Sequence, residues 1–191
     1  MAYSLKNFHK ELLEQSPQLV RDYLQHQLTV RARSPLTVEE YARDLITFFR
    51  FIKKYHQMVP AETPDSEIVV SDLTDQDVLG VTRRDVLEFM NFLVTERHNS
   101  VNTRLRKTTT LRRFYQYLTD QRQLLRESPM QAMESPKHKK SLPKYLSLEQ
   151  SLELLNAVDG PDKERDYCIL TLFLNCGMRL SELVNINVTD V

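Results

Sequence analysis

Apolar residues recur at helical spacing through the first half of the chain. After Ser34-Pro35, intervals of three and four residues separate the members of one apolar stripe, Tyr41, Leu45, Phe48 and Ile52. Proline is tolerated in the first turn of a helix, where its missing N–H has no partner to lose. The pattern therefore predicts a helix that begins at Ser34-Pro35. In the same way, Ser16-Pro17 predicts an earlier helix that continues to about Arg31.

Two further helices are predicted in the middle of the chain. Thr82 is placed to cap the first, whose apolar side consists of Val86, Phe89, Met90 and Leu93. Ser100 is placed to cap the second, which runs to about Leu118. On a wheel of about 100° per residue, the apolar face of this second helix contains Val101, Leu105, Leu111, Tyr115 and Leu118. Its opposite face presents Asn102, Arg106, Thr109 and Arg113.

The polar face of this second helix has the composition of a DNA-reading surface. Arginine and asparagine side chains hydrogen-bond to base edges in the major groove, which is the role expected of Asn102 and Arg106. Thr109 and the flanking Lys107 and Arg112 are suited to contacts with phosphates. An ordinary solvated helix carries the same pattern, so the spacing alone leaves both interpretations open.

Residues 56–80 interrupt the helical pattern. They contain two prolines and, from Glu62 to Asp77, six acidic residues without a basic one. Asp72, Asp75 and Asp77 lack the central glycine and the terminal glutamate that a calcium loop requires. Helix caps and a solvated loop are therefore the expected roles of these aspartates.

Residues 135–146 predict a boundary between two domains. They contain two prolines, four lysines and no glycine, a composition typical of a semi-rigid basic linker. After it, Ser147 and Gln150 form a capping-box pattern at the start of a helix. Residues 162–175 predict another helix, whose central run is apolar on every side and is therefore expected to be buried. Taken together, these patterns predict an all-α protein.

Charge divides the chain into three parts although its net charge is zero. Residues 81–150 carry 14 Lys or Arg against 7 Asp or Glu, a net charge of +7. By the same count, residues 1–80 carry −3 and residues 151–191 carry −4. The basic middle third is where a polyanion would dock, and a solvated basic face is the alternative.

Other sequence features bear on the compartment and on metals. No apolar run approaches the roughly 20 residues of a membrane helix, and the N-terminus lacks the apolar core of a signal peptide. Cys168 and Cys176 lie too far apart along one helix to form a disulfide. These features predict a cytoplasmic protein. The five histidines show no ligand spacing, so a metal site is not expected.

Four segments, in this order, resemble segments of the tyrosine recombinases of the Xer and phage-integrase family. Residues 34–45 (SPLTVEEYARDL) resemble the family's second core-binding helix, and residues 106–115 resemble its fourth. Residues 142–147 (LPKYLS) resemble the linker into the catalytic domain. Arg165-Asp166, the apolar run and residues 177–183 (GMRLSEL) resemble the segment that carries the first catalytic arginine. The resemblance covers nearly all of the chain.

The resemblance implies a domain organisation and a reaction. The fold class is all-α, with a helical-bundle core-binding (SAM-like) domain over residues 1–134 that carries a loop insertion at about 56–80. The basic linker, residues 135–146, and the first helices of a truncated catalytic domain, residues 147–191, follow. The parent enzyme would break and rejoin DNA at a specific site through a 3′-phosphotyrosine, in chromosome-dimer resolution or mobile-element integration. Its partners would be duplex DNA and other recombinase protomers, as a tetramer on two duplexes, without a cofactor.

The same resemblance assigns roles to individual residues. Arg179 matches the catalytic arginine, whose planar guanidinium stabilises charge on the scissile phosphate. Glu182, three residues on, lies on the same face and is placed to orient that guanidinium. An exposed ion pair is the alternative role for both. The residues expected to bind DNA are Thr37, Arg43, Asn102, Arg106, Lys107, Thr109, Arg112, Arg113, Lys139 and Lys140.

The chain also departs from the family pattern. Cys176 stands where the family usually has threonine, and none of the eight tyrosines occupies the position of the nucleophile. The family's hairpin lysine and His-x-x-Arg motif have no counterpart either. The chain alone is therefore expected to bind DNA without cleaving it. A non-catalytic DNA-binding regulator or short paralogue, and after it a helical protein-interaction module, are the alternative functions.

Overall fold

The computed structural model describes residues 11–134, 144–187 and 189. These residues form helices and turns and contain no strand, so the predicted all-α class is confirmed for them. The chain divides into two compact units, Met1–Lys139 and Lys140–Val191. In the first unit the helices are α1 (Gln18–Thr29), α2 (Pro35–Tyr55), α3 (Asp75–Leu79), α4 (Arg83–Thr95) and α5 (Val101–Gln116). In the second they are α6 (Leu148–Asn156), α7 (Lys163–Cys176) and α8 (Leu180–Leu183).

The long helices of the first unit begin where the sequence predicts. Ser34, Thr82 and Ser100 each precede a helix and accept, through the side-chain oxygen, the backbone N–H three residues on, at 3.2–3.3 Å. A hydroxyl in this position satisfies one of the N–H groups that the first turn leaves without an intrahelical partner. After α5, the chain continues into a π-helical turn over Tyr117–Gln121.

Several helix ends in the first unit have a residue in the left-handed backbone conformation. In four places the residue that stops the helical path has a positive φ of 48–56° although it is not glycine, namely at Ala32, Gln57, His98 and Gln123. Backbone N–H groups just beyond fold back onto the last turn, such as that of Arg33 onto the carbonyl of Gln27 at 3.0 Å. Such a left-handed residue costs about 1 kcal/mol when it carries a Cβ, and the whole chain has only three glycines.

The core of the first unit is built around α2. The predicted stripe on this helix is buried as expected, and it packs between α1, α4 and α5. Aromatic rings dominate these contacts: the ring centroid of Phe48 lies 5.0 Å from that of Phe89, and Tyr23 of α1 lies 5.4 Å from Phe114 of α5. Aromatic pairs at this separation add about 1 kcal/mol beyond the area that they bury.

The core-facing side of α5 is rotated from the predicted one. Leu111, Tyr115 and Leu118 are buried as predicted, and Phe114 joins them. Val101 and Leu105 are only half-buried. The buried side of the second and third turns instead carries Lys107, Thr108 and Thr110. The first half of the helix thus has polar residues in its core-facing positions, and these need partners inside the protein.

The segment between α2 and α4 is fixed to α2 by its own charged residues. Lys53, which is buried, donates to both carboxylate oxygens of Asp72 at 2.8 and 2.7 Å and to the carbonyl of Val69 at 2.8 Å. Asp77 caps α3 by accepting from the backbone and side chain of Thr74, and these hydrogen bonds hold the pKa of its carboxyl below the usual value. Asp77 therefore takes part in a cap as predicted, whereas Asp72 pairs with Lys53. The segment also contributes buried residues, Ile68, Val70, Leu73 and Val78.

In the second unit, one prediction is wrong. Residues 163–176 are helical as expected, but the helix is not buried: no residue of α7 is fully buried, and Tyr167 is 47% exposed. A helix that is apolar on every side needs neighbours on every side, and among the described residues of this unit only α6 packs substantially against it. Gly177 ends α7 in the left-handed conformation, with φ of 61°. Cys168 and Cys176 are exposed free thiols.

Across the described ranges, no helix is long and apolar enough to cross a membrane.

Candidate nucleic-acid interface and the Arg179 segment

A buried carboxylate joins α2 to α5. Asp44 is 1% exposed, and its Oδ1 accepts from Nζ of Lys107 at 3.0 Å. Its Oδ2 accepts from the guanidinium of Arg106 at 2.8 Å and from the hydroxyl of Thr110 at 3.0 Å. One aspartate thus accepts from two of the three buried polar side chains of α5 and also holds the guanidinium of Arg106. We call Asp44, Arg106, Lys107 and Thr110 the Asp44 cluster.

At the surface above this cluster, Glu40 bridges two arginines. Its Oε1 accepts from Arg43 at 2.6 Å, and its Oε2 accepts from Arg106 at 2.8 Å. All three side chains are a little under half exposed. The structure therefore brings together Arg43 of α2 and Arg106 of α5, both expected to bind DNA, through a carboxylate that neutralises part of their charge.

The exposed face of α5 borders an open groove of about 410 Å³ beside α2. Asn102, Arg106, Thr109 and Arg113 line it together with Tyr41. Arg113 donates a short hydrogen bond to the Tyr41 hydroxyl, and its guanidinium carbon lies 5.8 Å from the centre of that ring. Both contacts hold the arginine along the groove. The hydroxyl of Thr109 is turned inward, because it donates to the carbonyl of Leu105 at 2.8 Å.

Other residues expected to contact phosphate are placed differently. Lys107 is 9% exposed and held by Asp44, so it does not flank the surface as predicted. The sequence pattern placed it beside the polar face, but its partner lies 63 residues away in the chain. Arg112 donates to the carbonyl of Met133 at 3.0 Å, and the Thr37 hydroxyl lies 2.9 Å from that of Ser34. Lys139 and Lys140 lie outside the described residues.

Two arginines that the sequence patterns did not single out lie at a neighbouring cleft. Arg31 and Arg33, at the end of α1, line a cleft of about 240 Å³ with Arg113, which also lines the groove. Arg31 marked only the expected end of a helix, and no periodic pattern includes Arg33. The sequence feature that could have identified them is the occurrence of two arginines within the three residues before the cap residue Ser34.

In the second unit, Arg179 and Glu182 form a reciprocal pair. Arg179 precedes α8, and its backbone N–H and its guanidinium donate to the two carboxylate oxygens of Glu182, each at 2.8 Å. These hydrogen bonds, led by the one from the backbone, lower the pKa of the Glu182 carboxyl. The guanidinium is 82% exposed, so its remaining N–H groups face solvent. The backbone N–H of Arg179 is therefore already used by Glu182.

Among the residues with described positions, no group of three or more His, Cys, Asp or Glu side chains is arranged to hold a metal ion.

Comparison with known proteins links both units to one family. The Phage integrase family matches over residues 144–191. The tyrosine recombinase XerC of Caldanaerobacter subterraneus subsp. tengcongensis is 46% identical over 92% of this chain and 50% of its own length. The tyrosine recombinase XerC of Chlamydia caviae is 30% identical over 89% of this chain and 54% of its own length. The tyrosine recombinase XerD of Proteus mirabilis is 36% identical over 59% of this chain and 36% of its own length.

The matches cover most of this chain but only part of each relative. The chain spans about half the length of the two XerC relatives. No solved structure matches it. The similarity to the first XerC protein covers most of the chain, including the helices that hold the Asp44 cluster, and the family match adds the segment around Arg179. The chain therefore belongs to the tyrosine recombinases of the Xer family.

Proposed function

We propose that the chain is the DNA-binding portion of a site-specific recombinase that breaks and rejoins DNA through a 3′-phosphotyrosine. The observation that carries the proposal is the exposed side of α5, where Asn102, Arg106 and Arg113 lie along one groove. Arg106 and Arg113 are seven residues apart, so they lie roughly 10 Å apart along the helix axis. Such a helix presents side chains to base edges and phosphates of a duplex.

The division of labour follows the family pattern. Residues 1–134 would act as the core-binding domain, residues 135–146 as the basic linker, and residues 147–191 as the start of the catalytic domain. In the intact recombinase, several protomers would assemble on two duplexes, for chromosome-dimer resolution or mobile-element integration. Support for a DNA partner comes from the family and from the excess of basic residues over 81–150.

Arg179 would stabilise the charge that develops on the scissile phosphate. Its guanidinium is planar, permanently charged and largely exposed, as a phosphate ligand must be. Glu182 would hold the guanidinium in place through one hydrogen bond at 2.8 Å and the backbone of Arg179 through another. Lys139 and Lys140 of the linker would add phosphate contacts.

The first test is the contribution of Arg106 to duplex binding. Replacing Arg106 with alanine is expected to weaken binding and to reduce the slope of log affinity against log salt by about one unit, because one phosphate contact is lost. Fluorescence anisotropy with a labelled duplex at several salt concentrations measures both quantities. Lys107 is left intact, so that the buried carboxylate of Asp44 keeps a cationic partner when Arg106 is removed.

Arg97→Ala is the matched control for this test. Arg97 is also about half exposed and also pairs with an aspartate, Asp65, at 2.9 Å, but it lies at the end of α4 and does not line the groove. Equal effects of the two substitutions would contradict the assignment of α5 as the DNA-binding helix. Absence of duplex binding by the unchanged chain at low salt would contradict the proposed function and favour a protein-interaction module.

The second test concerns cleavage. On a nicked suicide duplex that traps covalent intermediates, the chain is expected to give no protein–DNA adduct on a denaturing gel, while a native gel of the same sample shows binding. Of the tyrosines with described positions, Tyr23 and Tyr115 are buried, and Tyr145 is the most exposed at 89%. None matches the family's nucleophile. A covalent adduct mapped to any tyrosine would overturn this expectation.

A further inference from the structure

The cleft beside the groove is a basic concave surface. It lies where the end of α1 meets the end of α5, and Arg31, Arg33, Arg113 and His26 line it. Against these four side chains stands a single acidic one, Asp120. Its volume of about 240 Å³ is ample for a phosphate group and its water.

The positive charge in this cleft is less compensated than that along α5. Of the basic residues expected to bind DNA, Arg106 and Lys107 pair with Asp44, and Arg43 pairs with Glu40. No ion pair within the described residues joins Arg31 or Arg33 to a carboxylate. Arg113 is held by the uncharged hydroxyl of Tyr41. A polyanion is therefore attracted more strongly to the cleft than to Arg106 and Lys107 of α5, whose charges are paired.

Buried polar atoms near the cleft also lack partners. Nδ1 of His26 is buried and makes no hydrogen bond in the described part of the protein, and the same holds for the hydroxyl of Tyr23. Burial raises the pKa of the Tyr23 hydroxyl, and the nearby charges of Arg113 and Arg33 partly oppose this shift. Of these two residues His26 lines the cleft, so its ring leaves a polar atom there without a partner among the described residues.

The backbone holds the two arginines at the cleft. Between them, Ala32 adopts a positive φ of 48°. On either side, the N–H of Arg31 donates to the carbonyl of His26 at 3.1 Å, and that of Arg33 donates to the carbonyl of Gln27 at 3.0 Å. These bonds tie the loop to the last turn of α1, so both side chains start from fixed positions.

We infer that the cleft of Arg31, Arg33 and Arg113 binds backbone phosphates of duplex DNA. The inference rests on the proposed function, because Arg113 lines both the cleft and the groove of α5 and so joins them into one surface. The guanidinium groups donate paired hydrogen bonds to phosphate oxygens. The cleft anchors the backbone, while α5 faces the bases.

The test compares two double substitutions in the full chain. Arg31→Ala with Arg33→Ala is expected to weaken duplex binding at low salt by about tenfold and to lower the salt slope by about two units. Arg83→Ala with Arg84→Ala is the matched control: it removes the same charge from adjacent exposed positions at the start of α4, and neither residue lines the cleft or the groove. The control is expected to change the slope by less than half a unit. Circular dichroism melts establish that both variants are folded.

Two further measurements sharpen the result. Arg31→Lys with Arg33→Lys is expected to keep most of the salt slope, since a phosphate contact needs the charge, and this variant guards against loss of the fold in the alanine variant. Inorganic phosphate at constant ionic strength is expected not to displace the duplex. Equal slopes for the cleft and control variants, or strong competition by inorganic phosphate, would overturn the inference. If the unchanged chain binds no duplex at all, the proposed function fails, which is a different outcome.

Discussion

Replacing Asp44 with alanine is expected to lower the free energy of unfolding by about 3–5 kcal/mol, because a buried ion pair that loses one partner leaves the other charge without compensation. Nζ of Lys107, 3.0 Å from Oδ1 of Asp44, would remain in a side chain that is only 11% exposed. The hydroxyl of Thr110 would lose one of its two acceptors and keep the other, the carbonyl of Arg106 at 3.2 Å. Urea unfolding followed by circular dichroism measures the change.

Asp22→Ala is the control for this experiment. Asp22 pairs with Arg122 at 2.8 Å, but both side chains are partly exposed, so the loss is expected to stay below about 1 kcal/mol. Asp44→Leu combined with Lys107→Met removes both buried charges and is expected to recover most of the stability. A cost for Asp44→Ala no larger than that for Asp22→Ala would show that the cluster does not hold α2 against α5.

Replacing Glu40 with glutamine is expected to tighten duplex binding by about tenfold at low salt. Glu40 accepts from Arg43 and Arg106 in the place that a phosphate would take between them. The neutral amide keeps the size of the side chain but weakens its hold on both guanidinium groups and removes one repulsive charge, while Asp44 still holds Arg106. One added phosphate contact would also steepen the salt slope by about one unit.

Glu96→Gln supplies the control for charge alone. Glu96 is exposed at the end of α4 and does not line the groove, so its change is expected to alter affinity by less than twofold. Anisotropy titrations of the three proteins against one duplex make the comparison. Weaker binding by the Glu40→Gln variant would mean that Glu40 orients the two arginines for DNA and does not compete with it.

Local sequence signals predicted the framework of the first unit well. The hydroxyl of Ser34 or Thr82 lies three residues from the N–H that it accepts, so the cap and its helix are visible within one turn. The stripe on α2 is likewise a local pattern, and its four members are buried. Such features need no knowledge of distant residues.

Pairings between distant residues could not be predicted in this way. The pattern of its own helix predicts a surface position for Lys107. Its burial depends on Asp44 of α2, which supplies the charge partner. The cleft at Arg31 and Arg33 depends on a helix end that lies beside the far end of α5. For α7, the sequence pattern predicted an apolar helix surface. It did not show which element of the fold would pack against that surface. The contact of Arg179 with Glu182 follows from their spacing, and the catalytic role of both residues stays a prediction.

Left-handed residues at the helix ends also bear on how the protein could be engineered. Gln57, His98 and Gln123 hold strained positions away from the groove and the cleft, so glycine there offers a reserve of stability at no expected loss of binding. Ala32 is different, because it separates the two arginines of the cleft. A glycine at that point would relieve strain and at the same time loosen the loop that aims them. At this one helix end, thermal stability and the proposed binding of DNA would depend on the same φ angle.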